Sequence, residues 1–514
     1  MTNKAYIIAM ALVTDNFRIY AAESFRDTLQ VTNKVYMFVG RAKTWGSTDT
    51  PPTGEPLDSF EYARTSYGDS VAFKRVDISD TALVVPRVDW VDPTKTTGGV
   101  GRTYSMYKPD YAPTKTTANG SSRLYDSNFY VMNSDFNVYK CLYNGQTPEF
   151  PRGRPSLVEP TGTSTTIIET SDSPGVYSYR WKYLYTIDAD NILKFVTSEF
   201  IPVLSNTLVK SAANSGSVDT VVIENAGSGY NNGTFTNVPI RGDYNINGGT
   251  QALCTVIVVS GSISSVTITQ AGSGYSFASI DVSLIPNIGS GTDADLDVVL
   301  PPNGGHGFDS VRELGAYRLM FASKLETTSA FVDFPNDLTY RRVGLVLNPT
   351  DYNTTTICSQ NTRSAVKALI FPQGTGAGAP SGPFTPGETI TQATTNAKGL
   401  VVSYDSTTKV LKYYQDSVDG TVNGDIIPFS GQNQITGSIN SHTATPDNSQ
   451  GTASVPVTQI QIGVSVYELG LSFVEGYANE EIELNSGEIL YLDNRIPITR
   501  SADQNEELKV VIEF

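Results

Sequence analysis

The 514-residue sequence has few histidines, few cysteines and a deficit of basic charge. Its two histidines are His306 and His442, both in Gly/Ser/Thr/Asn/Pro-rich surroundings. No His pair stands at metal-ligand spacing, and no arrangement of Ser, His and Asp suggests a nucleophile with its base. The cysteines, Cys141, Cys254 and Cys358, are odd in number and far apart. That excludes a disulfide framework and fits a reducing compartment, with the three thiols as small buried hydrophobes. Lys+Arg number 36 against 52 Asp+Glu, a net charge of −16. No Lys/Arg stripe is available to displace counterions from a duplex, so nucleic acid is not an expected partner. No apolar run reaches the ~18 residues of a membrane span. The run Ala5 to Val13 follows Lys4 but lacks a cleavage site behind it, and it reads as a buried first strand.

What is abundant points to strands and turns: 44 Gly, 27 Pro and 28 Tyr. The length exceeds the roughly 250–300 residues at which one core stops growing, so several domains are expected. Near the start, Asp15 or Asn16 can cap a helix in which Phe17, Ala21, Phe25 and Leu29 recur every fourth residue. Val35 to Val39 reads as a strand closed by Gly40. Ser47 to Pro56 reads as a loop. Asp92 to Ser122 is a longer one carrying Tyr104, Tyr107 and Tyr111, a length that suggests function or order gained against a neighbour.

Residues 219–285 hold an internal repeat. Ala226-Gly227-Ser228-Gly229-Tyr230 recurs as Ala271-Gly272-Ser273-Gly274-Tyr275, each behind an apolar strand. The paired glycines permit a tight turn at positive φ, and the tyrosine can pack back over it. Two copies suggest one pseudo-symmetric β unit, not a solenoid. Residues 363–475 open with the Gly-rich run Gly374 to Pro380, which reads as a flexible linker. Strand signals follow at Gly399–Tyr404 and Val410–Tyr414.

The motifs that imitate chemistry are incomplete. Gly374, Gly376 and Gly378 lack the helix that a phosphate loop needs, and Pro380 and Pro383 oppose one. Asp293, Asp295 and Asp297 resemble the start of a calcium loop, but Val298 and Gly304 stand where Gly and Glu belong, so an exposed strand face is expected. Gly304-Gly305-His306-Gly307 reads as a connector. No cofactor or metal is implied.

Several short motifs, in one order along the chain, resemble a single family. They are Gly40-Arg41 with Trp45; Pro86-Arg87 with Asp89-Trp90; Val138-Tyr139-Lys140-Cys141-Leu142; Trp181 with Tyr183-Leu184-Tyr185; and Tyr340-Arg341-Arg342 followed by Asn348-Pro349. The C-terminal block Ser486-Gly487-Glu488-Ile489-Leu490-Tyr491, with Asp493-Asn494-Arg495 and Pro497, completes the set. Together they resemble the dimeric baseplate wedge subunit of T-even-like contractile-tailed phages, the gene product eight family. The resemblance covers roughly residues 1–204, 301–362 and 476–514.

It implies a structural virion protein of the tail baseplate, made in the host cytoplasm, and not an enzyme. It further implies a homodimer that joins other baseplate wedge proteins in a six-fold array. The expected fold is mainly β and multidomain with minor helix: a discontinuous wedge core of 1–204, 301–362 and 476–514 carrying β modules at 205–300 and 363–475. The alternative is a tail-associated glycan-binding or glycan-cleaving protein. All three tryptophans fall in motifs and are flanked by Arg41, Arg87 and Asp89, which suit guanidinium–carboxylate pairs holding strand ends within one subunit. The C-terminal strand is expected to bury Leu508, Val510, Ile512 and Phe514 on one apolar face.

Overall fold

A computed structural model describes residues 14–95, 101–107, 124–147, 149–171, 178–325, 338–415, 421–422, 425–501 and 504–514. The expected strand Ala5–Val13 and Tyr111 lie outside them. The chain is mainly β, with several sheets and few helices. It divides into two compact units: residues 1–23, 82–319 and 513–514, and residues 24–81 and 320–512. The segments expected to form one wedge core are distributed over both.

The first helix runs Asp15–Val31, so Asp15 and Asn16 stand inside its first turn and Thr14, not either of them, precedes it; its buried face also differs from the expected one. Ile19, Ala22 and Leu29 are the buried positions, whereas Phe17 is 63% exposed. The spacing of three, then seven, keeps a narrow stripe inward, and the four-residue series drifts around the helix away from it.

In the first unit, the strands Tyr130–Met132, Asn137–Asn144, Ser178–Thr186 and Ile168–Ser171 form an antiparallel sheet in that order. Loop residues Tyr104 and Tyr107, expected to wait for a neighbour, are buried at 0% and 8% exposure. Aromatic side chains this large hold a segment without regular structure against a sheet. The repeat region carries its own apolar cluster, including Val238, Ile240, Val256, Ile263, Tyr230 and Tyr275. Gly227 and Gly229 have φ of +64° and +79°, and Gly272 and Gly274 have +62° and +76°. A Cβ at Gly227 or Gly272 would stand 2.6 Å from a backbone oxygen, of Thr292 and Thr250 respectively. Both copies therefore share the same pair of glycine φ values under a buried tyrosine, but Ala226–Ser228 is still paired within the strand Thr220–Ser228, whereas Ala271–Gly274 lies beyond its strand's end at Gln270. The three aspartates at 293, 295 and 297 lie on the strand Thr292–Val299, with Leu296 buried between exposed Asp295 and half-buried Asp297.

In the second unit a five-stranded antiparallel sheet has the order Thr362–Ser364, Ser70–Val76, Val35–Gly40, Thr339–Leu347, Glu488–Thr499. Its core gathers Tyr36, Phe38, Tyr67, Phe73, Val346 and Cys358. A seven-stranded sheet is built between Lys367 and Ala478, with Ala397–Asp405 and Val410–Tyr414 near its centre. The glycine run at 374–380 is not a linker ahead of this sheet. The strand Lys367–Ile370 already belongs to it, and Thr445 N–H donates to the Gly378 carbonyl at 2.9 Å. The three cysteines are free and buried.

The C-terminal strand Glu506–Glu513 does not show the expected alternation. Val510 is buried, but Leu508, Ile512 and Phe514 are half-buried, as are Lys509 and Val511 on the other face. Both faces are partly covered, so period-two patterning is blunted. The terminus is held instead by polar contacts: Arg18 Nε donates to the Phe514 carbonyl at 2.5 Å, and Glu513 pairs with Arg18 and Arg318 at 3.0 Å each.

Candidate functional site

In the second unit, three motif blocks that are distant in sequence meet. Gly40 closes a fully buried strand, and a Cβ there would lie 2.9 Å from the Asp69 carbonyl oxygen. The chain turns through Arg41, a non-glycine residue at φ +56° whose N–H donates to that same carbonyl at 2.7 Å. The Arg41 guanidinium lies over the Trp45 ring, 4.1 Å from its centroid. The Trp45 indole N–H donates to the Arg495 carbonyl at 2.8 Å.

Arg341 and Arg342 are consecutive on the strand Thr339–Leu347, so their side chains leave opposite faces of the sheet. Arg341 grips both oxygens of Asp49 through Nε and Nη2 at 2.6 Å each. That hydrogen bonding holds the Asp49 carboxyl below its ordinary range. Arg342 Nη1 donates to both oxygens of Asp69 at 2.8 and 2.9 Å, and Arg342 Nε donates to Asn494 Oδ1 at 3.1 Å. Asn494 in turn donates to the Tyr62 hydroxyl at 2.6 Å. Tyr62 sits on the helix Phe60–Gly68, whose first turn is capped by Ser59. Arg342 and Asp69 are 2% and 1% exposed, so this is a desolvated pair satisfied on every side.

The rest of the C-terminal block supports the cluster from the sheet edge. Gly487 precedes Glu488, which pairs with Leu347. Pro497 falls where the register breaks between Tyr340 and Arg342, an edge position at which a missing N–H costs no ladder bond.

The motif residues of the first unit form a second, more local arrangement. Pro86 ends the strand Thr81–Pro86. Arg87 Nε donates to both oxygens of Asp89 at 3.0 and 2.9 Å, and Arg87 Nη1 to the Thr197 carbonyl at 3.0 Å. This pair is well exposed, so it orients the chain more than it stabilises it. The Trp90 indole donates to Ser156 Oγ at 3.1 Å. Trp181 is fully buried, stacked on Tyr179 at 5.1 Å and edge-on to Tyr104 at 5.7 Å. Tyr183 packs against Tyr139 at 5.7 Å.

Sequence reasoning passed over a buried ionic network in this same unit. Glu313, on the short helix Ser310–Leu314, accepts from Lys140 Nζ at 3.1 Å, pairs with His306 Nδ1 at 2.5 Å and accepts from Gly307 N–H at 2.6 Å. Burial alone would push the Glu313 carboxyl up, but the Lys140 and His306 charges and these hydrogen bonds carry it down to about 2. Lys140 also lies 3.5 Å from the centroid of the Tyr107 ring. The loop at 304–307 is thus more than a connector. Its glycines, at φ of +92°, +96° and +84°, let the backbone pass close to Asn214 and deliver His306 to 4% exposure. The legible signals were a lysine inside the apolar run Val138–Leu142 and a histidine enclosed by glycines.

Beside this network is a cleft of about 470 Å³, lined by the strands that carry Glu169, Arg180 and Lys182, by Ser217–Asp219 and by Thr267–Thr269. His306 forms part of its wall. No protein-family model and no curated protein matches this chain.

Proposed function

We propose that this protein is a structural component of a contractile phage tail, a wedge subunit of the baseplate. It acts by binding, without catalytic turnover. It forms a homodimer through an isologous interface and joins other wedge proteins within a closed six-fold ring. Contacts between β-rich surfaces hold the ring and rearrange when the tail contracts.

The observation that carries this reading is the convergence of Gly40-Arg41, Trp45, Arg341-Arg342 and Asn494-Arg495 into one hydrogen-bonded cluster. These residues belong to separate blocks that resemble the family. Chance matches along a chain would have no reason to touch one another.

In this reading, residues 1–204, 301–362 and 476–514 make the wedge core, and residues 205–300 and 363–475 are inserted β modules. The closeness of each insertion's ends favours this. Val299 pairs with Thr220 across two antiparallel strands, and Ala368 pairs with Ala478. Each segment also has an apolar cluster of its own. An insertion that returns its ends to one place adds little closure cost to its host.

The test is assembly. Light scattering on the purified chain should give the mass of a dimer, and mixing it with the other wedge proteins of the same virus should give one larger complex of fixed stoichiometry. A monomer that enters no such complex overturns the proposal.

A further inference from the structure

We propose that Leu57 and Phe60, in the second unit, anchor this protein to a different wedge protein by filling an apolar groove rimmed with Lys and Arg. The inference rests on the baseplate reading and adds to it the surface used and the chemistry of the partner.

The argument begins with two apolar side chains that the fold does not use. Phe60 opens the helix Phe60–Gly68 and is 98% exposed, and Leu57, just ahead of the Ser59 cap, is 70% exposed. This helix meets the core through Ser66 and Tyr67, so Phe60 adds nothing to it. Single exposed hydrophobics are ordinary on a protein surface. A neighbouring pair that includes an aromatic ring and is held in place has the anatomy of an interface anchor.

Both residues are held in place. Ser59 N–H donates to the Leu57 carbonyl at 3.2 Å, Ser59 Oγ accepts from Tyr62 N–H at 3.2 Å, and Ala63 N–H donates to the Ser59 carbonyl at 2.9 Å. The Tyr62 hydroxyl accepts from Asn494 at 2.6 Å and from Arg342 Nη2 at 3.3 Å. The start of the helix is thereby fixed to the Arg342 cluster. An anchor that is already ordered loses little freedom on docking.

The charges around the pair select the partner. Glu55, Asp58 and Glu61 are all exposed, and no Lys or Arg occurs between Thr44 and Ala63. Arg64, one turn beyond Phe60, is the first base after them. A second copy of this chain is a poor occupant. Across a two-fold axis the patch meets itself, and the same acids from both copies would face one another. The net charge of −16 adds to that repulsion. A groove with an apolar floor and a basic rim receives Leu57 and Phe60 at its centre and the three carboxylates at its edge.

Biolayer interferometry on the full-length chain tests this, with the purified wedge proteins of the same virus as probes, one at a time. At least one should bind the wild type, with an association rate that falls as salt rises. Phe60→Ala should weaken that binding roughly thirtyfold or more, the effect of losing an interface hot spot. Leu57→Ala should weaken it by a smaller factor. Both variants should keep the wild-type melting temperature and the wild-type mass by light scattering, because neither side chain is part of a core. Asp58→Asn combined with Glu61→Gln should slow association and flatten its salt dependence. If the wild type binds no wedge protein, the baseplate reading and this inference fail together. If it binds and both apolar variants bind as tightly, the inference fails alone and the baseplate reading stands. A variant that changes the mass to that of a smaller species, or association that salt does not slow, would assign the patch to a second copy or to an uncharged groove and overturn the proposal.

Discussion

The two buried charge clusters are built from different chemistry. In the second unit the cations are arginines: Arg341 holds Asp49 with a two-nitrogen fork, and Arg342 Nη1 donates to both oxygens of Asp69. In the first unit Lys140 and His306 gather on one carboxylate, Glu313. A guanidinium stays charged at every accessible pH and fixes direction as well as distance. A buried lysine and a histidine are point-like partners whose protons are in play. The arginine cluster therefore works as a fixed clasp between a helix, a loop and two strands. The lysine–histidine cluster ties a strand, a loop and a short helix together, and burial brings its lysine down to about 8, within reach of pH.

The largest test of this contrast is Arg342→Leu. It strands Asp69 in a buried site, and breaking a buried pair from one side costs about 3–5 kcal/mol. Denaturant unfolding of the variant should show that loss, with little dependence on pH near neutrality. A loss below about 1 kcal/mol would mean that Arg41, 3.5 Å from Asp69, suffices alone.

Next comes Glu313→Gln. An amide keeps an acceptor for Lys140 but removes the charge that both cations face, and about 2–3 kcal/mol should be lost at pH 7. The pH profile sharpens the comparison. Glu313 is held down to about 2 in the folded protein, against 4.5 ordinarily. Its contribution is therefore fully present above about pH 4.5 and is lost as pH falls toward 2, a change of roughly 3 kcal/mol. Burial also lowers Lys140, to about 8, but that group stays charged throughout the acid range and does not alter the sign there. Stability of the wild-type protein should fall more steeply than that of Glu313→Gln between pH 4.5 and 2. Parallel curves would show that Glu313 is not the group titrating.

A smaller effect is expected from Trp45→Phe. It keeps an aromatic face for Arg41 but removes the indole bond to the Arg495 carbonyl, a loss of about 1 kcal/mol measurable as a shift in denaturant midpoint. The smallest belongs to Arg87→Ala. Its exposed pair with Asp89 should contribute between about 0 and 1 kcal/mol, and a larger change would assign Arg87 a packing role in addition to its charge.

Local signals in the sequence carried the elements that local chemistry controls. The helix Asp15–Val31, the buried strand ending at Gly40 and the strands at 397–405 and 410–414 follow from periodicity and turn residues. The repeat's positive-φ glycines were legible, because two glycines one residue apart before a tyrosine mark a local backbone conformation, but that the first copy stays paired in its strand while the second leaves it was not. Which helix face is buried was not legible, since Phe17 is as apolar as Ile19 and only the packed neighbours choose between them. The C-terminal strand misled in the same way: its alternation is real, but the cover on both faces comes from elsewhere.

The charge clusters divide along the same line. Motifs in the chain single out Trp45, Arg341, Arg342 and Asn494. That Arg342 reaches Asp69 while its neighbour Arg341 reaches Asp49 could not be read from them, because a strand sends successive side chains to opposite faces and the partners lie some 270 to 290 positions away. Sequence by itself determined a β-rich chain with a glycine-hinged repeat and no metal or nucleophile spacing. Tertiary structure alone decided that His306, Glu313, Lys140 and Asp219 meet, because burial brings together charges from four separate segments and only their shared desolvation makes them one site.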